Sequence, residues 1–461
     1  MKVVARPFGR ISLILIGLAV AEAPPAGQPG RQPPRGPVRV EGRAIADARG
    51  PFNALGATLF WGAWGYRADR ARLERNLAAL RDADVDYIRV LGSVGGASWA
   101  DRQVDPGWND YDAVIAGLTD LAYDRYGLRI QWTLFGGAPF TPSGAAREAL
   151  VDRFGKLARG REQKILAFEI ANEAWQNGFQ GPEGLDELRR LGKRLNDQTS
   201  VLIALSAPAS GAACATYMGA GADIATLHYE RGFGREGPLR PLRRPWAYPA
   251  AYDASCKNQL PAVVFNNEPI GPESSVRQDD DPARIAAGFV MTFLAGNAAY
   301  VFHSGPGIRG GGAADLASAL RRHANFGDLP SFKPIMAAIK AARSYLPAGL
   351  PNWTRHQTEA SSTLQGVEAA AQSGAISGAY TATSGSDFIS LIVGIQKPVT
   401  IRARTAASVD VRQPGSAAVL QRVELRAGDV FTLGIREAAV LIGRSLTATS
   451  EATPTGVSFR D

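Results

Sequence analysis

A chain of 461 residues is too long for one ordinary compact core, so one large domain and one small domain are expected. Hydrophobic residues make up 45% and charged residues 20%, a globular rather than a disordered balance. The net charge of +8 comes mainly from arginines spread along the chain, without the basic, aromatic-interleaved stripe of a nucleic-acid binder, so no nucleic-acid partner is expected.

The chain opens with the positively charged MKVVARPFGR and the apolar ISLILIGLAVA, and a small-x-small pattern ends at Ala21 or Ala23. This reads as a signal peptide over residues 1–23, too short to span a membrane, with an uncleaved anchor as the alternative. The protein is expected to be secreted or periplasmic, with no membrane span after cleavage. Residues 24–38, PPAGQPGRQPPRGPV, read as an extended Pro/Gly-rich linker.

VRVEGRAIADARGPF then reads as a short hairpin capping the main domain. Eight strand-like runs follow: ALGATLFW, YIRVLG, LRIQWTLFG, KILAFEIANE, SVLIALSA, DIATLHYE, AVVFNNE and AYVFHSG. Amphipathic patterns such as ARLERNLAALRDA, YDAVIAGLTDLAYDRY, GLDELRRLGKRLNDQ and PARIAAGFVMTFLAG lie between them. Strands apolar throughout, alternating with helices, predict a parallel sheet covered by helices. Eight such units fit an α/β fold of the (β/α)8 TIM-barrel type over residues 39–349, with its active site at the strand C-termini. A doubly wound open sheet is the competitor, but WGAWGY rather than a Gly-rich phosphate turn follows the first strand. GIRGGG (307–312), after the eighth strand, is a weak phosphate fingerprint. From residue 350 to 461 period-two alternation predicts a small antiparallel β-sandwich with an accessory role.

Polar residues at barrel strand ends are the candidate site: Arg89, Asn172, Glu173, His228, Tyr229, Glu268 and His303. Glu173, in ILAFEIANEAWQNGF, and Glu268, in VVFNNEPIGP, end the fourth and seventh strands and would face each other across the mouth. Two facing carboxylates suit glycosidic bond cleavage, one protonating the leaving oxygen and the other attacking the anomeric carbon. Asn172 would orient a sugar 2-hydroxyl. Arg89 and Tyr229 would donate to Glu268. Glu169, inside the fourth strand, reads as an acid that the strand tolerates.

These residues resemble clan A of the glycoside hydrolases, the cellulase-like, family 5-like barrels. The resemblance rests on the Asn-Glu pair ending strand four, the Glu ending strand seven, the Arg in YIRVLG and the leader GPFNALGATLF. It covers about residues 40 to 345. It implies retaining hydrolysis, with Glu173 as acid/base, Glu268 as nucleophile, and Arg89, Asn172, His228 and Tyr229 in support. Two features depart from the pattern: His228 and Tyr229 are adjacent, and His303 stands where many members place a Trp.

Seven of the eight tryptophans lie in the barrel region, and Trp61, Trp64, Trp99 and Trp175 are candidates to stack on sugar rings, whereas Trp132 reads as core. ERGFGREGPLRPLRRPW carries five arginines from 231 to 244 and reads as a loop too rich in Gly and Pro for a helix. It is either a solvated lid or a reader of an anionic sugar. Cys214 and Cys256, the only cysteines, either pair or remain buried thiols; with four scattered histidines they make no zinc spacing. The expected function is a secreted retaining glycoside hydrolase, a monomer without cofactor or metal, acting on a neutral or acidic carbohydrate. A transglycosylase on the same site, or an inactive carbohydrate-binding protein, are the alternatives.

Overall fold

The computed structural model describes residues 36–446 apart from Ala138, Ser143, Gly211 and the segments 256–259, 314–321, 358–363, 366–369 and 371–372. The expected signal peptide, most of the linker, Cys256 and the last fifteen residues lie outside the described residues. Cys214 is disulfide-bonded.

Three short strands come first, β1 (Arg39–Glu41), β2 (Ala44–Asp47) and β3 (Gly50–Phe52), paired antiparallel in that order. The expected hairpin is thus a three-stranded sheet. Val38 and Ile45 pack with Tyr87, Phe265 and Val263 near the strand N-termini, so this sheet plugs the bottom of the barrel.

The barrel strands are β4 (Ala54–Thr58), β5 (Tyr87–Leu91), β6 (Arg129–Phe135), β7 (Ile165–Ala171), β8 (Leu202–Pro208), β9 (Ile224–His228), β10 (Val263–Asn266) and β11 (Ala299–Phe302). All neighbours pair in parallel, and β11 closes on β4 through Ala299↔Ala54 to Phe302↔Ala57. Each predicted run coincides with one of these strands, β8 running one residue past SVLIALSA to Pro208. Both faces of each strand are covered, one by the barrel interior and one by helices, which is why the runs are apolar throughout.

The intervening helices stop and start on local signals. Asp281 accepts from the Ala283 and Arg284 amides, with Pro282 at the first position of helix Pro282–Leu294. Gly127, at φ +68°, ends helix Tyr111–Tyr126 in a left-handed turn. Among the described residues, no helix is long and apolar enough to cross a membrane.

One expectation fails here. Leu239–Ser255 is an α-helix although it contains Pro241 and Pro245. Pro241 falls in the first turn, where its missing N–H is not needed, and Leu242 and Trp246 are buried in the main core, the Trp246 ring lying 5.1 Å from that of Tyr380. Burial of that face outweighs the poor helix propensity that made this stretch read as a loop.

The C-terminal strands are β12 (Thr354–Gln357), β13 (Leu364–Gln365), β14 (Gly378–Ser384), β15 (Asp387–Ile395), β16 (Val399–Ala403), β17 (Ala407–Arg412), β18 (Gln421–Leu425), β19 (Val430–Leu433) and β20 (Glu437–Ser445). They form an antiparallel six-stranded sheet, β12-β14-β15-β20-β17-β18, and a three-stranded sheet, β13-β16-β19. Phe388, Ile392, Val409 and Leu441 of the larger sheet share a core with Ile401, Phe431 and Leu433 of the smaller one, a two-layer sandwich.

Candidate active site

Alternation along each barrel strand decides which side chains meet inside. On β5 the inward residues are Tyr87, Arg89 and Leu91; on β7 they include Glu169; on β9 they are Ile224, Thr226 and His228. Tyr87 and Phe265 stack near the bottom, with ring centroids 6.4 Å apart. Above them lies a buried polar layer. Gln131 donates to Asn267 at 3.1 Å, and Asn267 donates to Glu169 at 2.8 Å.

Arg89 is the hub of this layer and is fully buried. Its Nε and Nη2 donate to Glu169 Oε2 at 3.0 and 2.8 Å, Nη2 also donates to Asn172 Oδ1 at 2.7 Å, and Nη1 donates to Glu268 Oε1 at 2.7 Å. Thr133 donates its hydroxyl to Glu169 as well. Burial works against the guanidinium charge, but the Glu169 and Glu268 carboxylates outweigh it and raise the Arg89 pKa.

Glu173 and Glu268 each lie two residues past the end of a strand, β7 and β10. Glu173 adopts φ +43°, a left-handed backbone unusual for a non-glycine residue, and its N–H donates to Ser206 Oγ at 3.0 Å. Gln176 donates to its Oε2. His228 Nδ1 sits between the two acids, 3.7 Å from Glu173 Oε1 and 3.5 Å from Glu268 Oε2. One ligand atom from each of Glu173, His228 and Glu268 lies within 4.8 Å of the other two. The carboxylates therefore face each other across a gap of a few ångströms. Their surroundings differ: the Glu173 side chain is 24% exposed and that of Glu268 only 5%.

Burial would raise the Glu268 carboxyl, but the His228 and Arg89 cations hold it well below the usual carboxylate range. Desolvation works against the charge of His228, but the neighbouring Glu268 and Glu173 carboxylates outweigh it and push its pKa up to about 9. His303 goes the other way, down to about 3, because burial and the nearby Arg231 and Arg89 cations disfavour its charge. Its Nδ1 lies 2.9 Å from Thr58 Oγ1, and its Nε2 lies 3.8 Å from Glu268 Oε2.

The Glu173, His228 and Glu268 trio is also a donor set that could hold a divalent cation. Two guanidinium groups oppose that use, since Arg89 donates to one Glu268 oxygen and Arg231 Nη2 lies 3.5 Å from the other.

Of the residues expected at the site, Arg89, Asn172, Glu173, His228, Glu268 and His303 come together. Trp175 joins them, with its ring edge-on to His228 at 5.6 Å. Tyr229 does not. Adjacent strand residues point to opposite faces, so with His228 inside, the Tyr229 ring is outside in the helix layer, donating to Asn297 at 2.8 Å. Trp61 is fully buried, donates to the Pro306 carbonyl and lies under Arg72, so it is core rather than a sugar platform. Trp64 and Trp99 are half-buried, with Arg102 and Arg309 over their rings at 5.1 and 5.7 Å. Trp132 is core as expected. The Gly-rich run after β11 is gripped by its carbonyls rather than offered by its amides. Arg72 and Arg102 donate to Gly310 O, and Arg102 also donates to Arg309 O.

The arginines from 240 to 244 are tied into structure. Arg240 and Arg244 pair with Glu230, and Arg243 pairs with Glu236 and donates to Tyr380 of β14. Arg231, by contrast, reaches Glu268 and was not singled out from its neighbours in the sequence. In the sequence Glu169 reads only as an acid that its strand tolerates. Period two along β7 puts it on the same inward face as Ala167 and Ala171, and this would have shown it.

No family model matches this sequence, and no curated protein does so. Solved structures do share the fold. A glycoside hydrolase family 5 protein from Bacteroides vulgatus superposes with a TM-score of 0.64 at 14% identity, over 89% of this chain and 94% of its own. A structure described as a glycoside hydrolase gives 0.63 at 12% identity, over 89% and 97%. Amy13B from Eubacterium rectale gives 0.55 at 11% identity, over 86% and 96%. The expected likeness to glycoside hydrolase barrels is therefore present in the fold, and identities this low assign no single family.

Proposed function

We propose that this protein is an exported glycoside hydrolase that cleaves by double displacement, with Glu268 as nucleophile and Glu173 as acid/base. The observation carrying this reading is the close approach of the two carboxylates across the barrel mouth, one oxygen of each lying within 4.8 Å of one of the other. Direct attack on a sugar needs about 5 to 5.5 Å between carboxyl groups, while a mechanism placing water between them needs about 6.5 to 9.5 Å. The asymmetry of their surroundings divides the roles. Glu268 is buried and held ionised beside Arg89, which suits attack. Glu173 is the more exposed acid, and no guanidinium pairs with it among the described residues.

The Glu268 carboxylate would attack the anomeric carbon while Glu173 gives its proton to the departing oxygen. Glu173, now ionised, would take a proton from water as that water displaces Glu268, returning both groups to their starting states. Asn172 has a defined part in this scheme. Arg89 occupies its Oδ1, which directs the amide Nδ2 outward as a donor for a sugar hydroxyl. Trp175, edge-on to His228, offers an apolar surface beside the acid. The export assignment rests on the basic, then apolar, then small-residue order of residues 1–23. Proton NMR of the first-formed product tests the chemistry. Retained anomeric configuration is expected, and an inverted product refutes double displacement.

A further inference from the structure

The cleft contains one charged group that this chemistry leaves unused. Arg231 follows His228 by three residues in the segment leaving β9 and is 8% exposed. Its Nη2 lies 3.5 Å from Glu268 Oε2, and its Nη1 lies 3.4 Å from Ser274 Oγ. A charge-assisted N–H···O bond runs to about 2.7–2.9 Å, so neither contact is a close one. Arg89 makes the comparison plain, with four contacts to three side chains at 2.7 to 3.0 Å. A guanidinium that is almost wholly buried and only loosely held is costly unless an anion completes its shell.

Two more observations point the same way. His303 Nε2 is buried without a hydrogen-bond partner among the described residues, and it approaches the same Glu268 oxygen, at 3.8 Å. Arg240, Arg243 and Arg244 of the same stretch, which could otherwise compensate a substrate, are engaged with Glu230, Glu236 and Tyr380.

We infer that Arg231 is a specificity-determining residue that receives an anionic substituent of the bound sugar, a uronate carboxylate or a sulfate ester. This rests on the glycosidase reading above. The planar fork of a guanidinium matches both anions in a bidentate way, with the Ser274 hydroxyl and His303 Nε2 available as further polar partners. An anion on the sugar also competes with Glu268 Oε2 for Arg231, freeing that oxygen for attack.

The test uses the mature protein and matched 4-nitrophenyl glycosides in both anomers: glucoside, glucuronide and 6-sulfated glucoside. Wild type should show the higher kcat/KM on one anionic arm, and which arm it is separates carboxylate from sulfate. Arg231→Ala should lose on the order of 100-fold on that substrate, the scale of removing one partner of a buried charge pair. That loss should exceed the loss on the glucoside at least about tenfold, and Arg231→Lys should recover part of it. Faster turnover of the glucoside than of either anionic substrate overturns the inference, as do equal losses on both classes. Failure to cleave any arm counts against the glycosidase reading instead. The inference then stands or falls on calorimetric binding of glucuronate and of glucose 6-sulfate against glucose: it requires tighter binding of one of the two anions, lost in Arg231→Ala.

Discussion

Arg89 and Glu268 are joined by a 2.7 Å hydrogen bond between side chains that are 0% and 5% exposed. The same guanidinium holds Glu169, so one cation bridges two buried carboxylates and leaves the second oxygen of Glu268 facing the cleft. Removing it strands both acids. Arg89→Ala should cost about 3 to 5 kcal/mol of stability, the usual consequence of breaking a buried ion pair on one side. Glu268 would also lose a cation that depresses its pKa, so the acidic limb of the pH–rate profile should move to higher pH. Thermal melts and pH profiles of the variant check both. A limb that stays in place means Arg89 does not tune Glu268.

The two histidines predict opposite pH effects on stability. The folded pKa of His228 is raised to about 9, so its contribution is fully present below about 6.5. It should fade as pH rises through about 9. His303 is lowered to about 3, so the unfolded chain binds a proton there before the folded one, and stability should fall as pH drops below about 6.5. Glu268, with its depressed pKa, adds to the acid-side loss. Melting temperature against pH should show both slopes. His228→Asn should flatten the alkaline side and His303→Asn the acid side.

Variants of the acids themselves should separate their roles. Glu268→Ala should abolish turnover, with azide restoring it to give a glycosyl azide of inverted configuration, because the small anion replaces the nucleophile. Glu173→Ala should lose about 10² to 10⁴-fold on glycosides with a poor leaving group and much less on 2,4-dinitrophenyl glycosides, which need little protonation. Wild-type rates in both variants would remove the pair from the chemistry.

Tyr229→Phe probes the face assignment on β9. Its hydroxyl donates to Asn297 in the helix layer, so the variant should be destabilised by about 1 to 3 kcal/mol with kcat nearly unchanged. A large fall in kcat at full stability would mean that Tyr229 reaches the carboxylates after all.

Arg243 and Arg244 engage Glu236, Tyr380 and Glu230 rather than the cleft. Replacing both with alanine should leave KM for neutral and for anionic substrates at their wild-type values, with stability lowered by about 1 kcal/mol per exposed pair at most. A KM increase confined to anionic substrates would return these two arginines to the site.

The sequence by itself determined much of the frame. Runs buried on both faces must be apolar throughout, and their alternation with amphipathic segments marked all eight barrel strands. Against that background Glu173 and Glu268 stood out, because a carboxylate just beyond an apolar run has no solvated face to explain it. Tertiary structure decided what depends on direction and on distant partners. One residue of register separates His228 in the cleft from Tyr229 in the helix layer, and a string of neighbouring residues carries no mark of which is which. Trp61 looked like a platform after a strand end, but the descending chain after β11 covers it. Glu169 looked like a tolerated acid until closure of the barrel brought Arg89 from two strands away. Arg231 differs from Arg240, Arg243 and Arg244 only in which carboxylate the fold places within its reach. Long side chains take their meaning from the charge they meet, and in a closed barrel that charge comes from residues far apart in the chain.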